Sequence, residues 1–281
     1  MWSAGPLSLS ADKAIRPRLL AHGSELHMVY DVWDGVFYTV HHAVWTGGAW
    51  GTPTAIASGE KASLAFDPDG TLHAVYFAED GQVEHSMLVG GAWIAGDAVP
   101  TDAYMSGFRI RALTAPGGIE SAVSTSPGGT SYDIRTDAWA SGSGWTRDTL
   151  YNSLNLSSDE PEGALDSSGQ RHWVWTEQDP ADVWTVGIML RSTTGSPTWV
   201  SRTSGFSASP AVGIPADDVP MVTWVDPFGQ ILVDRAPYGT PVTVGAGAKP
   251  AIAIDADGFT HVAWYEYGPS GPQEIFYTTN R

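Results

Sequence analysis

Apolar residues in this chain come in short alternating runs, and the runs repeat. Near the C-terminal end, Ala251 to Ile254 is an apolar run and Asp255-Ala-Asp257-Gly258 a turn. Thr260 to Tyr265 then alternates and is rich in β-branched and aromatic residues. Gly268-Pro-Ser-Gly271-Pro makes a second turn, and Gln273 to Thr278 a third run. A period of two broken by turn chemistry predicts an antiparallel meander of three strands. The same pattern starts again at Arg18, Lys61, Arg109, Glu162 and Pro210.

Anchored on His27, His73, Ser121, His172, Met221 and His261, the six copies recur roughly every 40 to 51 residues, the period of propeller blades. A fourth strand follows most copies, opened by Gly48-Ala-Trp50, Gly91-Ala-Trp93, Gly144-Trp145 or Pro197-Thr-Trp199, and by Thr240 to Val244 in the fifth. The sixth copy stops at Arg281 without one, while Met1-Trp2-Ser-Ala-Gly reads like the segment after Trp50 or Trp93. The expectation is an all-β, six-bladed β-propeller with four-stranded blades. It is a single domain over 1–281, and residues 2–8 close the ring as the outer strand of the last blade. Radial repetition covers both faces of each sheet and leaves only short edges.

Composition narrows the partners. With 42% hydrophobic residues and 13 Trp in 281 residues, there is ample material for a core. No run approaches the roughly 18 apolar residues of a membrane span. There is no cysteine, which excludes disulfides and thiolate metal sites. A net charge of −17 argues against nucleic acid and against an anionic membrane. The acid excess reads as a solubilising surface, or else as an acidic pocket for a cation or a polyhydroxylated ligand. No leader is legible at Met1-Trp2; Trp, Gly, Ser and Thr richness with only three lysines leans towards an extracellular or cell-surface monomer.

In a propeller the first strand of each blade lines the axis. The connections entering those strands share a face with the loops between second and third strands. On that face the sequence places Arg16 and Arg18, Lys61, Arg109 and Arg111, Glu160 and Glu162, Ser209 and Lys249, all entering first strands. Leaving the second strands are Asp31 with Trp33 and Asp34, Glu79 and Asp80, Glu177 with Asp179, Asp182 and Trp184, Asp226 with Phe228, and Glu266 with Tyr267. Two readings stand. The acids and aromatics are turn formers on a solvated rim, with arginines paired to carboxylates of neighbouring blades. Alternatively they form a sugar site, in which Trp33, Trp184, Phe228 and Tyr267 offer flat faces and the charged groups bind hydroxyls. The candidate ligand-binding set is Arg18, Asp31, Trp33, Asp34, Arg109, Arg111, Glu177, Trp184, Asp226 and Glu266.

The repeated His27, His73, His172 and His261 share a strand face with Val29, Val75, Val174 and Ala263. They are expected to pack between blades and hydrogen-bond a neighbouring strand or turn. Equivalent positions around a ring are too far apart to ligate one metal. The Asp67-x-Asp69-Gly70 and Asp255-x-Asp257-Gly258 turns lack the distal glutamate of a calcium loop. No metal and no cofactor is expected.

The run of Pro, inner strand, Asp-x-x-Gly, His-x-Val-Trp/Tyr and then Gly-x-x-Trp resembles the repeats of bacterial sialidase-like (BNR-type) six-bladed propellers, over essentially the whole chain. The Asp-box of that family, Ser-x-Asp-x-Gly-x-x-Trp, survives only in decayed form: Ser86 to Trp93 has Leu88 for Asp, and Ala43 to Trp50 keeps only Gly47 and Trp50. Ile15-Arg16-Pro17-Arg18 and Phe108-Arg109-Ile110-Arg111 echo the arginine context of exo-sialidases. The resemblance implies three arginines on a substrate carboxylate, an acid/base Asp (Asp34) and a Tyr/Glu pair (Glu177 with Tyr265 or Tyr267). The third arginine has no counterpart on the inner strands of blades four to six, which begin with Glu160, Ser209 and Lys249. The function expected is therefore recognition of a glycan or other small polar ligand, lectin-like or adhesive, with no catalytic residue. The rivals are a sialidase-type glycoside hydrolase and a protein-binding platform.

Overall fold

The computed structural model describes residues 13–46, 49–100, 109–125, 133–151, 158–192, 195–255, 257–266 and 274–280. They form six antiparallel sheets, each written in chain order. The first holds β1 (Lys13–His22), β2 (Glu25–Trp33), β3 (Tyr38–Thr46) and β4 (Thr54–Ser58). The second holds β5 (Glu60–Phe66), β6 (Leu72–Phe77), β7 (Val83–Val89) and β8 (Ala92–Ala95). The third holds β9 (Ile110–Ala115), β10 (Gly118–Thr125), β11 (Asp133–Ala140) and β12 (Gly144–Tyr151). The fourth holds β13 (Ser158–Leu165), β14 (Arg171–Asp179), β15 (Asp182–Ser192) and β16 (Thr198–Ser201). The fifth holds β17 (Ala208–Gly213), β18 (Met221–Val225), β19 (Gln230–Arg235) and β20 (Val242–Ala246). The sixth has three strands, β21 (Ala248–Ile254), β22 (Thr260–Glu266) and β23 (Glu274–Thr279). The expected closing strand, residues 2–8, lies outside the described residues.

The sheets pack face to face in chain order, so the core is a series of seams. Val29 and Val40 of the first sheet pack on Leu64, Leu72 and Tyr76 of the second. Val75, Phe77 and Val83 meet Ile110, Ile119 and Trp139 of the third. Leu113 and Ile134 meet Trp173, Trp175 and Met189 of the fourth. Val174 and Ile188 meet Val212, Val222 and Trp224 of the fifth, and Ile231 and Val233 meet Val262 and Trp264 of the sixth. Each such side chain, fully buried, contributes about 1.5–3 kcal/mol. Glycine permits the closest approach: a Cβ on Gly245 would lie 2.2 Å from the Trp264 ring. Tyr30, Val32 and Ala43 form a further buried cluster on the other face of the first sheet, with Met28 and Trp50 packed against it.

The Asp-x-x-Gly turns between first and second strands are fastened by the repeated histidines. One oxygen of Asp67, Asp166 and Asp255 accepts backbone N–H groups within its own turn. The other meets Nε2 of His73, His172 and His261 at 3.2, 3.0 and 3.0 Å. The far ring nitrogen then reaches the third strand: His85 at 2.8 Å, Ser192 at 2.9 Å and Tyr277 at 2.5 Å. In the first sheet His27 Nδ1 faces His42 Nε2 at 3.1 Å. The histidines thus stitch turn, second strand and third strand together, as their shared strand face led one to expect.

Candidate functional site

A β-bulge recurs at one position in the first strand. The register slips between Ile15 and Arg18, Glu60 and Ser63, Asp159 and Glu162, Ala208 and Ala211, and Ala248 and Ala251. Two residues there oppose one on the second strand, which bends the strand and re-aims its side chains. The first bulged residue is left-handed each time: Arg16 at φ 54, Lys61 at 57, Glu160 at 53, Ser209 at 52 and Lys249 at 48. A non-glycine residue in this region costs on the order of 1–2 kcal/mol. Glycine would relieve that strain, yet each of these positions carries a side chain.

The cost is met by what the bulge places. A cavity of about 670 Å³ is lined by first-strand residues of all six sheets, among them Arg16, Arg18, Lys61, Arg111, Glu162 and Lys249. Arg109, just ahead of β9, joins them. The lining is rich in cations, which answers the alternative of an acidic pocket in the negative. Glu162 sits among three guanidinium groups, 3.2 Å from Arg18, 3.7 Å from Arg109 and 3.5 Å from Arg111. Arg109 also reaches Glu160 at 3.2 Å. The pair of Arg18 and Glu162 joins the first sheet to the fourth across the cavity. Burial pushes the Glu162 carboxyl up, but Arg18, Arg111 and Arg109 outweigh it and hold the group below its ordinary value. Burial, with the charges of Arg111 and Arg109, lowers Arg18 in spite of Glu162.

A second ionic knot lies at the cavity mouth. Arg16 reaches Asp31 at 3.0 Å and Glu60 at 2.6 Å, and its guanidinium lies over the Tyr38 ring at 5.1 Å. Trp33 packs on Tyr38, ring centroids 4.8 Å apart. Asp31 itself is buried and accepts the backbone N–H of Lys61 at 3.0 Å, so it fastens the bulge of the next blade. Burial raises its carboxyl despite those donors.

The ten candidates separate into groups. Arg18, Arg109 and Arg111 come together in the cavity. Asp31 and Trp33 belong to the mouth beside Arg16. Asp34 is a turn former: it accepts the N–H groups of Val36 and Phe37, both at 2.8 Å, which lowers its pKa. Asp226 Oδ1 likewise accepts the N–H groups of Phe228 and Gln230 within its turn. Trp184 is 84% exposed near the start of β15. Glu177 is fully buried, accepting from Ser158 Oγ at 2.5 Å and Trp175 Nε1 at 3.0 Å. Burial, with the nearby Asp133 charge, raises its carboxyl to about 7. Glu266 lies on β22 opposite Glu274; its side chain, and all of Tyr267, lie outside the described residues.

The sequence places Arg16, Lys61, Glu162 and Lys249 on this face without marking them as ligand-binding, and it does not mark Tyr38. The signal was the bulge, and without glycine it is silent. Among the described residues no group of three or more His, Asp or Glu could hold a metal ion. No described helix is long and apolar enough to cross a membrane.

No protein-family profile and no curated protein matches this sequence. Solved structures do. A Penicillium chrysogenum α-L-arabinanase complexed with arabinobiose superposes with a TM-score of 0.63 at 12% identity, over 95% of this chain and 93% of its own. The Aleuria aurantia lectin AAL, in complex with a fucosylated GlcNAc, gives 0.57 at 12% identity over 90% and 91%. The sialidase Hz136 from a Hadza microbial source gives 0.58 at 13% identity over 89% and 63%. The fold is that of the β-propellers. At such identities the likeness extends to the fold alone.

Proposed function

We propose that this protein is a glycan-binding propeller, lectin-like or adhesive, that seats its ligand at the mouth of the central cavity without transforming it. The observation that carries the reading is the shared cavity, where strained bulges hold charged side chains beside the Trp33–Tyr38 aromatic pair. Sugars are bound by aromatic faces together with charged hydrogen-bonding groups. The arabinanase, lectin and sialidase neighbours are consistent with a carbohydrate ligand. The ring would be one domain over 1–281, closed by residues 2–8 adding to β23. The buried Tyr30, Val32 and Ala43 face supports this, because it calls for a neighbouring blade to cover it. A glycan ligand in turn suits an extracellular or cell-surface place.

The acids of this face are taken up by the structure itself, which leaves the site to binding and not to chemistry. Asp34 caps a turn, Asp31 and Glu177 are buried, and Glu162 is held ionised by three arginines. Those arginines are the ones a sialidase-type reading would assign to a substrate carboxylate, and here the chain supplies its own. One observation favours that second reading: Glu177, raised to about 7, has the proton affinity of a general acid.

A glycan array tests the proposal. Binding of at least one glycan class, weakened tenfold or more by Trp33→Ala or by Lys249→Glu at the exposed mouth, is the expected result. An array without a hit at high protein concentration refutes it. Turnover of an aryl glycoside or sialoside that disappears in Glu177→Ala replaces it with the hydrolase reading.

A further inference from the structure

Three aromatic rings stand in solvent on the same face as the cavity mouth, and they are joined through the backbone. Trp184 is 84%, Phe206 68% and Phe228 85% exposed. Val186, two residues after Trp184, donates its N–H to Gly205 O and accepts the N–H of Ser207, both at 2.8 Å, so Phe206 lies against the start of β15. Gly205, at φ 108, sits so close to Pro227 that a Cβ would lie 2.7 Å from its ring. Phe228 is the next residue. The loop of the fourth sheet, the connection to the fifth and the loop of the fifth therefore build one shelf. Asp182 Oδ1 accepts the N–H of Trp184 at 3.1 Å, and Asp226 Oδ1 that of Phe228 at 2.8 Å, which fixes both loop tips.

At roughly 150–250 Å² per aromatic side chain, the exposed surface is on the order of 500 Å², the size of the largest apolar patch on a typical monomer. Such patches mark contact sites, and rings already held in place lose little freedom on binding. The shelf leads into the first strand of the fifth sheet, whose Pro210, Ala211 and Val212 line the cavity. Phe206 is three residues ahead of Ser209, about 10 Å of extended chain. Ser209 and Glu160 are the two bulge residues of this side, whereas Lys249, Arg16 and Lys61 carry the cations of the other.

We infer that the shelf of Trp184, Phe206 and Phe228 is a second binding platform, for the apolar faces of neutral sugar units, which makes the ligand a glycan chain and not a single residue. It rests on the glycan reading above and adds the ligand's length and charge class. Flat exposed rings beside the exposed Asp182 and half-exposed Asp226, whose carboxylates also hold their own loops, match a polyhydroxylated ring with apolar C–H faces. A cationic partner is not required, and an anionic lipid surface is repelled by a chain of charge −17.

Titration calorimetry with neutral oligosaccharides of increasing length, and gel retardation in arabinan, xylan or glucomannan, test this. For wild type, affinity should rise with chain length. In Trp184→Ala/Phe228→Ala that rise should vanish, with a loss of roughly tenfold per ring for long chains, while the shortest ligand binds as before. Both positions are exposed, so circular dichroism should show the fold intact. Length dependence that survives the double substitution overturns the platform. Short ligands bound with no gain from length overturn the platform and leave the mouth reading standing. An absence of any glycan binding by wild type removes both. Loss of self-association, or of binding to phosphatidylcholine vesicles, as the only effect of the double substitution assigns the shelf to another occupant and overturns the inference.

Discussion

Acid should loosen the seams of the first three blades, and the geometry says by how much. His42 pairs with His27 and His85 with His73, rings parallel within 6° and 2° and their nitrogens 3.1 and 2.8 Å apart. All four are buried, and Trp93 and Trp145 cross the outer rings edge-on. Such a pair holds one N–H between two nitrogens; a second proton breaks the bond and leaves a cation in the seam. Burial, followed by the partner histidine, lowers His42 and His85 to about 4. The unfolded chain takes these protons near the ordinary histidine value, about 6.5. Between those limits the unfolded state binds protons the folded state refuses, so stability falls as pH falls, by about 2.7 kcal/mol per pH unit for two histidines. Glu177 opposes this. Its folded carboxyl, raised to about 7, takes a proton that an unfolded glutamate does not take until about 4.3, which returns about 1.4 kcal/mol per unit on acidification. Burial also lowers His27, His73 and His41, which adds to the loss, so the net expectation is a loss of at least about 1.4 kcal/mol per unit from pH 6.5 towards 4.5. Urea unfolding at stepped pH measures it. Glu177→Gln should steepen the slope by about 1.4 kcal/mol per unit, and His42→Gln/His85→Gln should make it shallower by up to about 2.7 kcal/mol per unit. A wild-type profile that is flat or rising on acidification, or a double histidine variant with the wild-type slope, would refute the reasoning.

Other perturbations follow from the same geometry. Glu162→Gln leaves three guanidinium groups around a neutral amide; discounted for their partial exposure to the cavity, the cost should be about 2 kcal/mol, read by thermal unfolding and partly restored by added chloride. Lys249→Gly removes a side chain from a left-handed position at φ 48 and should raise the unfolding free energy by about 0.5–1 kcal/mol, after the added entropy of the unfolded glycine. Gly245→Ala places a methyl 2.2 Å from the Trp264 ring and should cost about 1–3 kcal/mol of overpacking, with a red shift in tryptophan emission as the seam opens.

The architecture was legible because its instructions are local. An Asp-x-x-Gly turn and the histidine that latches it lie within one hairpin, so the repeat stays readable even in the third copy, where Ser121 replaces histidine and the sheet still forms. The site was only half legible, because it is made of contacts between blades. Asp31 and Glu177 both end second strands and look alike in sequence. Asp31 fastens the next blade's bulge beneath Arg16, whereas Glu177 is sealed under Ser158 and Trp175. Nothing near either residue in the chain decides between them. The bulge was silent for another reason: a left-handed residue is announced by glycine, and here it is arginine, lysine, glutamate or serine. That silence has physical content. Five positions accept about 1–2 kcal/mol of strain and keep a side chain. Arg16, Lys61 and Lys249 line the cavity, whereas Glu160 pairs with Arg109 and accepts the N–H of Ser209. Because the residues at these bulges differ from blade to blade, the ligand proposed for the mouth should lack the ring's own symmetry, and titration should give a stoichiometry of one ligand per chain.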